Sequence, residues 1–277
     1  MILRFAPHLM ACTLTAGVCI ATGCSDAPRS IRTAKAIDSV AIDKPLELPT
    51  GTPPEKSDPV AAAIVAEAVK AHTNGKPERL DKLKRFKMVR TGILGGTQPQ
   101  LWEYRGEWPD RFRVDEPQSQ MSIVRVGQDG WVSSPAQGVR KNPLQEPYKR
   151  GVLADTMYEF LPVLIPLADP TLVAAPFADR TINGKPASGV WLSGKHLPRA
   201  VVHFDKESKR LVQCAFESYE GDATVIKEVT ILEYREVNGV QIPEKLTIKW
   251  NGRPAAEWTV TSIEFPVDLP AKVFEEP

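Results

Sequence analysis

The sequence predicts an α+β fold: a strongly curved antiparallel β-sheet of roughly ten or eleven strands, with an N-terminal helix and an internal helical plug. Two observations carry this prediction. From residue 85 onward, runs rich in β-branched and aromatic residues alternate polar and apolar side chains. This alternation is typical of strands with one solvent-exposed and one buried face. Turn signals containing glycine separate these runs, at Gly95-Gly96, Gln128-Asp129-Gly130, Asn183-Gly184, Asn238-Gly239 and Asn251-Gly252. Such dipeptides favour tight hairpins, so the strands should pair with their neighbours along the chain.

A helix is expected to open the folded region. Ser57 or Asp58 can cap it, Pro59 suits its first turn, and the alanine-rich run from Val60 to Ala71 carries an apolar stripe. Thr73-Asn74-Gly75 should end it, because Asn and Gly accept the left-handed conformation found after helices.

Ten strands are predicted after this helix. The clearest is Lys245 to Trp250, which alternates polar and apolar residues, and its partner across the next turn carries Trp258 and Val260. The other predicted strands cover residues 86–93, 100–107, 111–115, 122–126, 190–193, 200–205, 210–216 and 226–234.

One apolar segment, Ala154 to Ala168, interrupts the strand pattern. It is too apolar to be exposed, and Pro162 and Pro166 should kink or end any helix in it. We expect a short helical plug across the concave side of the sheet. Two roles stay open for it, a plain core helix or a movable lid over a ligand cavity.

The first 23 residues have the order of a signal peptide. Arg4 precedes an apolar run from Leu9 to Ile20, which is shorter than the roughly 18 residues needed to span a bilayer. Ala21-Thr22-Gly23-Cys24 resembles a lipobox, although Ala21 stands where such motifs usually carry Leu. We therefore expect cleavage before Cys24 and lipidation there. A freely soluble periplasmic protein, or an uncleaved stretch with a chance cysteine, is the alternative.

Residues 24–59 are predicted to be a Pro-containing linker, and residues 60–277 the folded domain. The expected location is the cell envelope, at the periplasmic face of a membrane. Ser25 after the cysteine favours the outer membrane under the sorting rule of enteric bacteria.

Composition and cysteine content exclude several classes. The formal net charge of +1 gives no indication of a basic surface that would bind nucleic acid. Of the four cysteines, Cys12 and Cys19 leave with the signal peptide and Cys24 is acylated, so Cys214 cannot form an internal disulfide. Alternation places Cys214 on an apolar strand face as a buried thiol.

We find no catalytic signature in the sequence. The four histidines lack zinc-motif spacing, and there is no Cys-x-x-Cys, Gly-x-Ser-x-Gly or phosphate-binding loop. His203 and Asp205 should face the same side of one strand, and without a nucleophile they are expected to be a surface polar pair. The prediction is a non-enzyme with no metal ion and no cofactor.

Several segments together resemble the LolA/LolB-like half-barrel superfamily, the outer-membrane lipoprotein-sorting proteins. They are the opening helix, the run Tyr104 to Arg113, the run Val202 to Leu211, the run Tyr234 to Lys245 with its Asn-Gly-Val and Ile-Pro, and the tail from Ile263. The resemblance implies a half-barrel that holds acyl chains of a lipid or lipoprotein in an apolar cavity between sheet and helices. This chain departs from the soluble carriers because it carries its own anchor signal.

Such a cavity should be lined by apolar residues and lack buried charge. The candidate lining residues are Trp102, Phe112, Trp131, Tyr158, Leu161, Leu164, Ile165, Trp191, Phe204, Phe216, Trp250 and Trp258. The expected partners are acyl chains and a membrane, and the expected state is a monomer. Two other functions stay open, a non-catalytic structural or envelope-sensing interaction lipoprotein and a hydrolase.

Overall fold

A single antiparallel sheet runs through the part of the chain that the computed structural model describes, residues 46–95, 98–135, 142–143, 148–160, 164–197, 199–220 and 223–275. Residues 42–277 form one compact unit. The strands are β1 (Arg85–Leu94), β2 (Gln100–Glu107), β3 (Arg111–Glu116), β4 (Met121–Val126), β5 (Asp129–Ser133), β6 (Asn142–Pro143), β7 (Val173–Ile182), β8 (Lys185–Ser193), β9 (Ala200–Asp205), β10 (Leu211–Glu220), β11 (Ala223–Val237), β12 (Val240–Trp250) and β13 (Arg253–Glu264).

The order across the sheet is β6-β5-β4-β3-β2-β1-β13-β12-β11-β10-β9-β8-β7. Every strand therefore pairs with a neighbour in sequence, except where β1 pairs with β13, with Lys87 opposite Glu264. The sheet has two arms, a first arm of β1–β6 and a second arm of β7–β13. It is curved and open, since within the described residues its edge strands β6 and β7 do not pair with each other. The predicted α+β fold with a curved antiparallel sheet is confirmed.

The sheet has more strands than the sequence predicted. Within the described residues there are twelve full strands and the two-residue edge segment β6, and the additional ones are β5, β6 and β7. Strand β5 is only five residues long, and β7 reads Val-Ala-Ala-Pro-Phe-Ala-Asp-Arg-Thr-Ile, in which small residues and a proline hide the alternation. Proline is tolerated there because β7 is an edge strand.

Three of the predicted turns are tight Asn-Gly hairpins. At Asn183-Gly184, Asn238-Gly239 and Asn251-Gly252 both central residues have positive φ, between 49° and 77°, as a type I′ turn requires. One predicted turn is displaced. Gly127, with φ of 58°, and Gln128 form the turn between β4 and β5, so Asp129 and Gly130 already belong to β5.

Helix α1 (Pro59–His72) begins where the sequence predicted. The Asp58 carboxylate caps it by accepting hydrogen bonds from the Val60 and Ala61 N–H groups, at 2.9 and 3.0 Å. Ser57, the other candidate cap, has a different role: its hydroxyl accepts a hydrogen bond from the Ala174 N–H of β7 at 3.0 Å. The helix packs against β7, β8 and β12.

The predicted helical plug is present in two pieces. Helix α2 (Tyr148–Phe160) ends just before Pro162, and a 3₁₀ turn, Ile165–Ala168, contains Pro166. Leu164 between them has φ of 60° and is fully buried. Since this segment follows β6 and precedes β7, it connects the two free edges of the sheet. Among the described residues, no helix is long and apolar enough to cross a membrane.

The two faces of the sheet are packed differently. The inner face, against which α1 and α2 pack, carries the main core. The outer face carries two small clusters. One holds the segment before α1 against the second arm and consists of Leu46, Leu48, Phe177, Val201 and Ala215. The other holds the segment after β13 against the first arm and consists of Val124, Val126, Trp131, Leu269, Val273 and Phe274.

Candidate ligand-binding face

The inner face brings together most of the predicted cavity residues. The register places Trp250 opposite Lys227, which in turn lies opposite the inward-facing Phe216, so these three share a row. The main core cluster or its margin contains Trp102, Phe112, Leu164, Ile165, Phe204, Phe216 and Trp258. Which of them contact a ligand remains a prediction.

Two predicted cavity residues are placed differently. Trp131 packs in the outer cluster of the first arm, and Trp191 lies opposite Val201, a member of the outer cluster of the second arm. Strand alternation places both side chains on the outer face. Aromatic character alone does not predict which face of a sheet a tryptophan occupies. Leu161 and the side chain of Tyr158 lie outside the described residues.

An aromatic row crosses the inner face near the seam between the arms. The Trp102 ring lies 5.5 Å from Trp258 in an edge-to-face arrangement and 6.2 Å from Tyr104, and Tyr104 lies 5.9 Å from Phe112. Trp102 and Trp250 are only half-buried, whereas Trp258 is 5% exposed. The inner face thus presents tryptophan surface that its own core does not cover.

Phe160 docks the end of α2 onto the first arm. Its ring is fully buried and packs edge-on to Phe86, at 5.0 Å, and to Trp108, at 5.2 Å. Gly106 makes this contact possible, because a Cβ there would come within 2.8 Å of the Phe160 ring and 2.6 Å of Phe86. The close packing is that of a core helix at this end.

A polar contact holds the middle of α2 to the second arm. The Asp155 carboxylate accepts hydrogen bonds from the Ser218 hydroxyl, at 2.9 Å, and from the Lys227 ammonium, at 3.0 Å. Lys227 also lies 5.3 Å above the Trp250 ring. We call Asp155, Ser218 and Lys227 the α2 latch.

The inner face also carries buried charge. Arg90, Arg125 and Lys227 on this face are 5%, 4% and 7% exposed. The Arg90 guanidinium lies 4.8 Å over the Tyr104 ring, a cation–π contact. Alternation was the signal for Arg90, which follows Phe86 and Met88 at every second position of β1. Lys227 and Asp155 had no such signal, because their pairing depends on the tertiary packing of α2.

The two described histidines with altered acidity are buried. His72 of α1 accepts a hydrogen bond from the Leu211 N–H at Nε2, 3.0 Å, and its Nδ1 lies 3.3 Å from the Gln241 carbonyl oxygen. Burial lowers the pKa of His72 from 6.5 to about 4. His72 therefore joins α1 to β10 and β12 in its neutral form, a structural role.

The predicted surface pair of His203 and Asp205 is also buried, which corrects that expectation. His203 is fully buried on the outer face, and burial lowers its pKa to about 4. Asp205 caps the following turn by accepting hydrogen bonds from the N–H groups of Glu207 and Ser208. The Ser208 hydroxyl also donates a hydrogen bond to the Asp205 carboxylate, at 2.8 Å. In the described residues no group of three metal-ligating side chains occurs. Cys214 is fully buried, as predicted.

Comparison with solved structures gives the fold relationship. A DUF1329 family protein from Desulfovibrio piger matches over 79% of this chain and 98% of its own, at 12% identity and a TM-score of 0.53. A LolA superfamily protein from Nitrosomonas europaea covers 77% and 96%, and a putative outer membrane lipoprotein-sorting protein domain from Vibrio parahaemolyticus 76% and 97%, each at 15% identity and a TM-score of 0.49. No family model and no curated protein matches the sequence.

The solved structures that match thus include the family predicted from the sequence. At these sequence identities the comparison shows similarity of fold alone. This similarity rests on the match to the Desulfovibrio piger protein. The chemistry of the site must therefore be argued from this chain's own residues.

Proposed function

We propose that this chain is a membrane-anchored envelope lipoprotein that binds acyl chains of a lipid or lipoprotein on its inner face, as a non-catalytic protein of sorting or transport. One observation carries the proposal. Half-buried Trp102 and Trp250 lie on the inner face at the margin of its packed apolar core, beside the segment that connects the two edges of the sheet. Exposed tryptophan surface on a concave face is typical of a site for an apolar ligand.

The energetics of acyl burial fit this face. Each buried methylene contributes about 0.8 kcal/mol, so half of an acyl chain gives useful affinity without any polar contact. Room for the acyl chain would have to come from a displacement of α2. Phe160 fixes one end of this helix, whereas the latch at Asp155, whose side chain is 42% exposed, is a contact that water can replace.

The proposed anchor is the acylated Cys24, which lies outside the described residues together with the rest of the signal peptide and most of the linker. Placement on the periplasmic face of the outer membrane is part of the same proposal and rests on the lipobox-like motif and Ser25.

Tryptophan quenching by a brominated acyl chain tests the binding. The protein would be the full chain carrying Cys24→Ser, which removes the acyl acceptor. We expect saturable quenching that falls in Trp102→Phe, because this ring is half-buried on the inner face. The matched control is Trp131→Phe on the outer face, which should quench like the parent. Absence of saturable quenching, or equal loss in both variants, would contradict the proposal.

A further inference from the structure

A small pocket lies between the β4–β5 hairpin and the start of α2. It is lined by Arg125, Gly127, Gln128, Asp129, Gly130, Lys149, Arg150 and Leu153. Three of these side chains are cations and one is a carboxylate. The pocket thus carries an excess of positive charge in a chain whose formal net charge is only +1.

Arg125 is the buried cation of this pocket. Its side chain is 4% exposed, and its terminal nitrogens donate hydrogen bonds to the carbonyl oxygens of Gly127 and Pro109, each at 2.6 Å. Its Nε has no hydrogen-bond partner, and the described carboxylate that interacts with its charge is that of Asp110. Burial lowers the pKa of Arg125 to about 10, so the charge is retained at neutral pH. Burying a cation is costly, and the anionic group of a ligand would offset that cost further than Asp110 alone.

The start of α2 adds two further cations. Lys149 pairs with the exposed Asp129 carboxylate at 3.3 Å, and the Arg150 guanidinium lies 4.5 Å over the Tyr219 ring. The first turn of α2 contains no acidic residue. The amino end of a helix is the positive end of its dipole, and the cationic side chains of Lys149 and Arg150 add further positive charge there. This end therefore favours an anion both through its dipole and through its side chains.

The pocket adjoins the apolar inner face. Leu153, one turn into α2, lines the pocket and also packs against the main core cluster. A molecule with its anionic group beside Arg125 could therefore place an apolar part along α2.

We propose that this pocket binds the phosphate ester group of an anionic amphiphile whose acyl part lies on the inner face. Arg125 and Arg150 would donate to the phosphate oxygens, and Lys149 would exchange Asp129 for the ligand. The acyl part of this inference rests on the proposed function, whereas the phosphate part rests on the pocket alone. The same chemistry would accept a free phosphate, so the test has to separate the two sources.

Calorimetric titration of the full chain carrying Cys24→Ser separates them with three probes. The probes are 1-myristoyl-lysophosphatidylglycerol, the uncharged 1-monomyristoylglycerol with the same acyl chain, and inorganic phosphate. We expect the phosphorylated lipid to bind at least about tenfold more tightly than the uncharged one, the effect of one or two charge-assisted hydrogen bonds.

Variants of the pocket should move this preference in opposite directions. Arg125→Gln should abolish most of it. Lys149→Gln should reduce it about threefold, and Asp129→Asn should raise it about threefold, because a partly exposed charge contributes little. The last two lie at the exposed rim and keep the test valid if Arg125→Gln does not fold. Lys87→Gln, on an exposed strand position outside the pocket, is the charge-matched control.

Each pattern of binding decides the proposal. Equal affinity for the two lipids overturns the phosphate site and leaves acyl binding intact. Binding of inorganic phosphate that responds to Lys149→Gln and Asp129→Asn, without binding of either lipid, supports the phosphate site and contradicts the acyl-binding function. Absence of binding by all three probes overturns both.

Discussion

His72 shows how a single residue ties the helix to the sheet. Its ring is fully buried and its two nitrogens contact the backbones of β10 and β12, so it must be neutral in the folded chain. His203 is equally buried on the outer face, where its Nδ1 has no hydrogen-bond partner. Both have their pKa lowered by burial from 6.5 to about 4.

Acidification should therefore destabilise the fold in a defined window. Below pH 6.5 the unfolded chain takes up protons on these two histidines and the native state does not, so the free energy of unfolding falls until about pH 4. The loss should be on the order of 3 kcal/mol for each histidine. Urea unfolding at pH 7.5, 6, 5 and 4 measures it.

His72→Gln should flatten this pH dependence while lowering stability at pH 7.5. His196→Gln, which changes a half-buried ring beside Trp108, is the control. An identical pH dependence in His72→Gln and in the parent would show that His72 does not contribute.

For single residues, the sequence predicted turns and helix caps better than it predicted which face of the sheet a side chain occupies. The Asn-Gly turns and the Asp58 cap depend on local conformational preferences, and both occur where expected. The face occupied by Trp131 or Trp191 depends on register over neighbouring strands. The β4–β5 turn lies at Gly127-Gln128, nearer the chain start than predicted, and β5, the strand that carries Trp131, was not predicted at all.

Helix α2 is the element on which ligand entry would depend under the proposed function. Three kinds of contact hold it: the buried Phe160 ring, the close approach of Gly151 to the Tyr219 carbonyl of β10, and the latch between Asp155 and Lys227. Of these contacts, the latch is the most informative to break. Removing the Asp155 carboxylate leaves the Lys227 side chain, which is only 9% exposed, without that ion pair.

Asp155→Ala should lower the free energy of unfolding by about 1 to 2 kcal/mol, because Lys227 stays buried without its carboxylate partner. Replacing both residues, as Asp155→Ala with Lys227→Met, should restore part of the loss, since no charge then stays buried. Urea unfolding of the two single variants and the double variant measures the coupling. If the double variant loses as much as the sum of the single variants, the latch does not couple α2 to the sheet.

Element prediction succeeded where local pattern was strong. Strands β2 and β9 have the predicted bounds, because their alternation and flanking turns are clear. Strand β7 was missed because its burial comes from the neighbouring α1 and β8, not from its own composition. The existence of α2 followed from the apolar run, but its polar latch could not, since Asp155 and Lys227 lie far apart in the chain.

The whole molecule is braced on its outer face by two separate segments. Leu46 packs on the second arm, at β9 and β10, and Phe274 packs on the first arm beside Val124 of β4. Since each cluster touches only one arm, the stability of the two arms should be separable.

Hydrogen exchange of the two arms tests this. Phe274→Ala should raise the exchange rates of β3–β5 amides more than those of β8–β10, because it removes a 4%-exposed ring that covers the first arm. Leu46→Ala should show the reverse preference and serves as the reciprocal control. Uniform acceleration of both arms by either variant would show that the sheet opens as one unit.

The seam between β1 and β13 also has a consequence for how the chain is made. Each arm is a succession of hairpins between near neighbours, and such local pairing forms fast. The seam instead joins Lys87 to Glu264, so β1 emerges from the ribosome long before its partner exists. Until then one side of β1 is an unpaired edge able to recruit other strands. We therefore expect the arms to form first and the seam last, so that the newly made first arm is the species most exposed to aggregation.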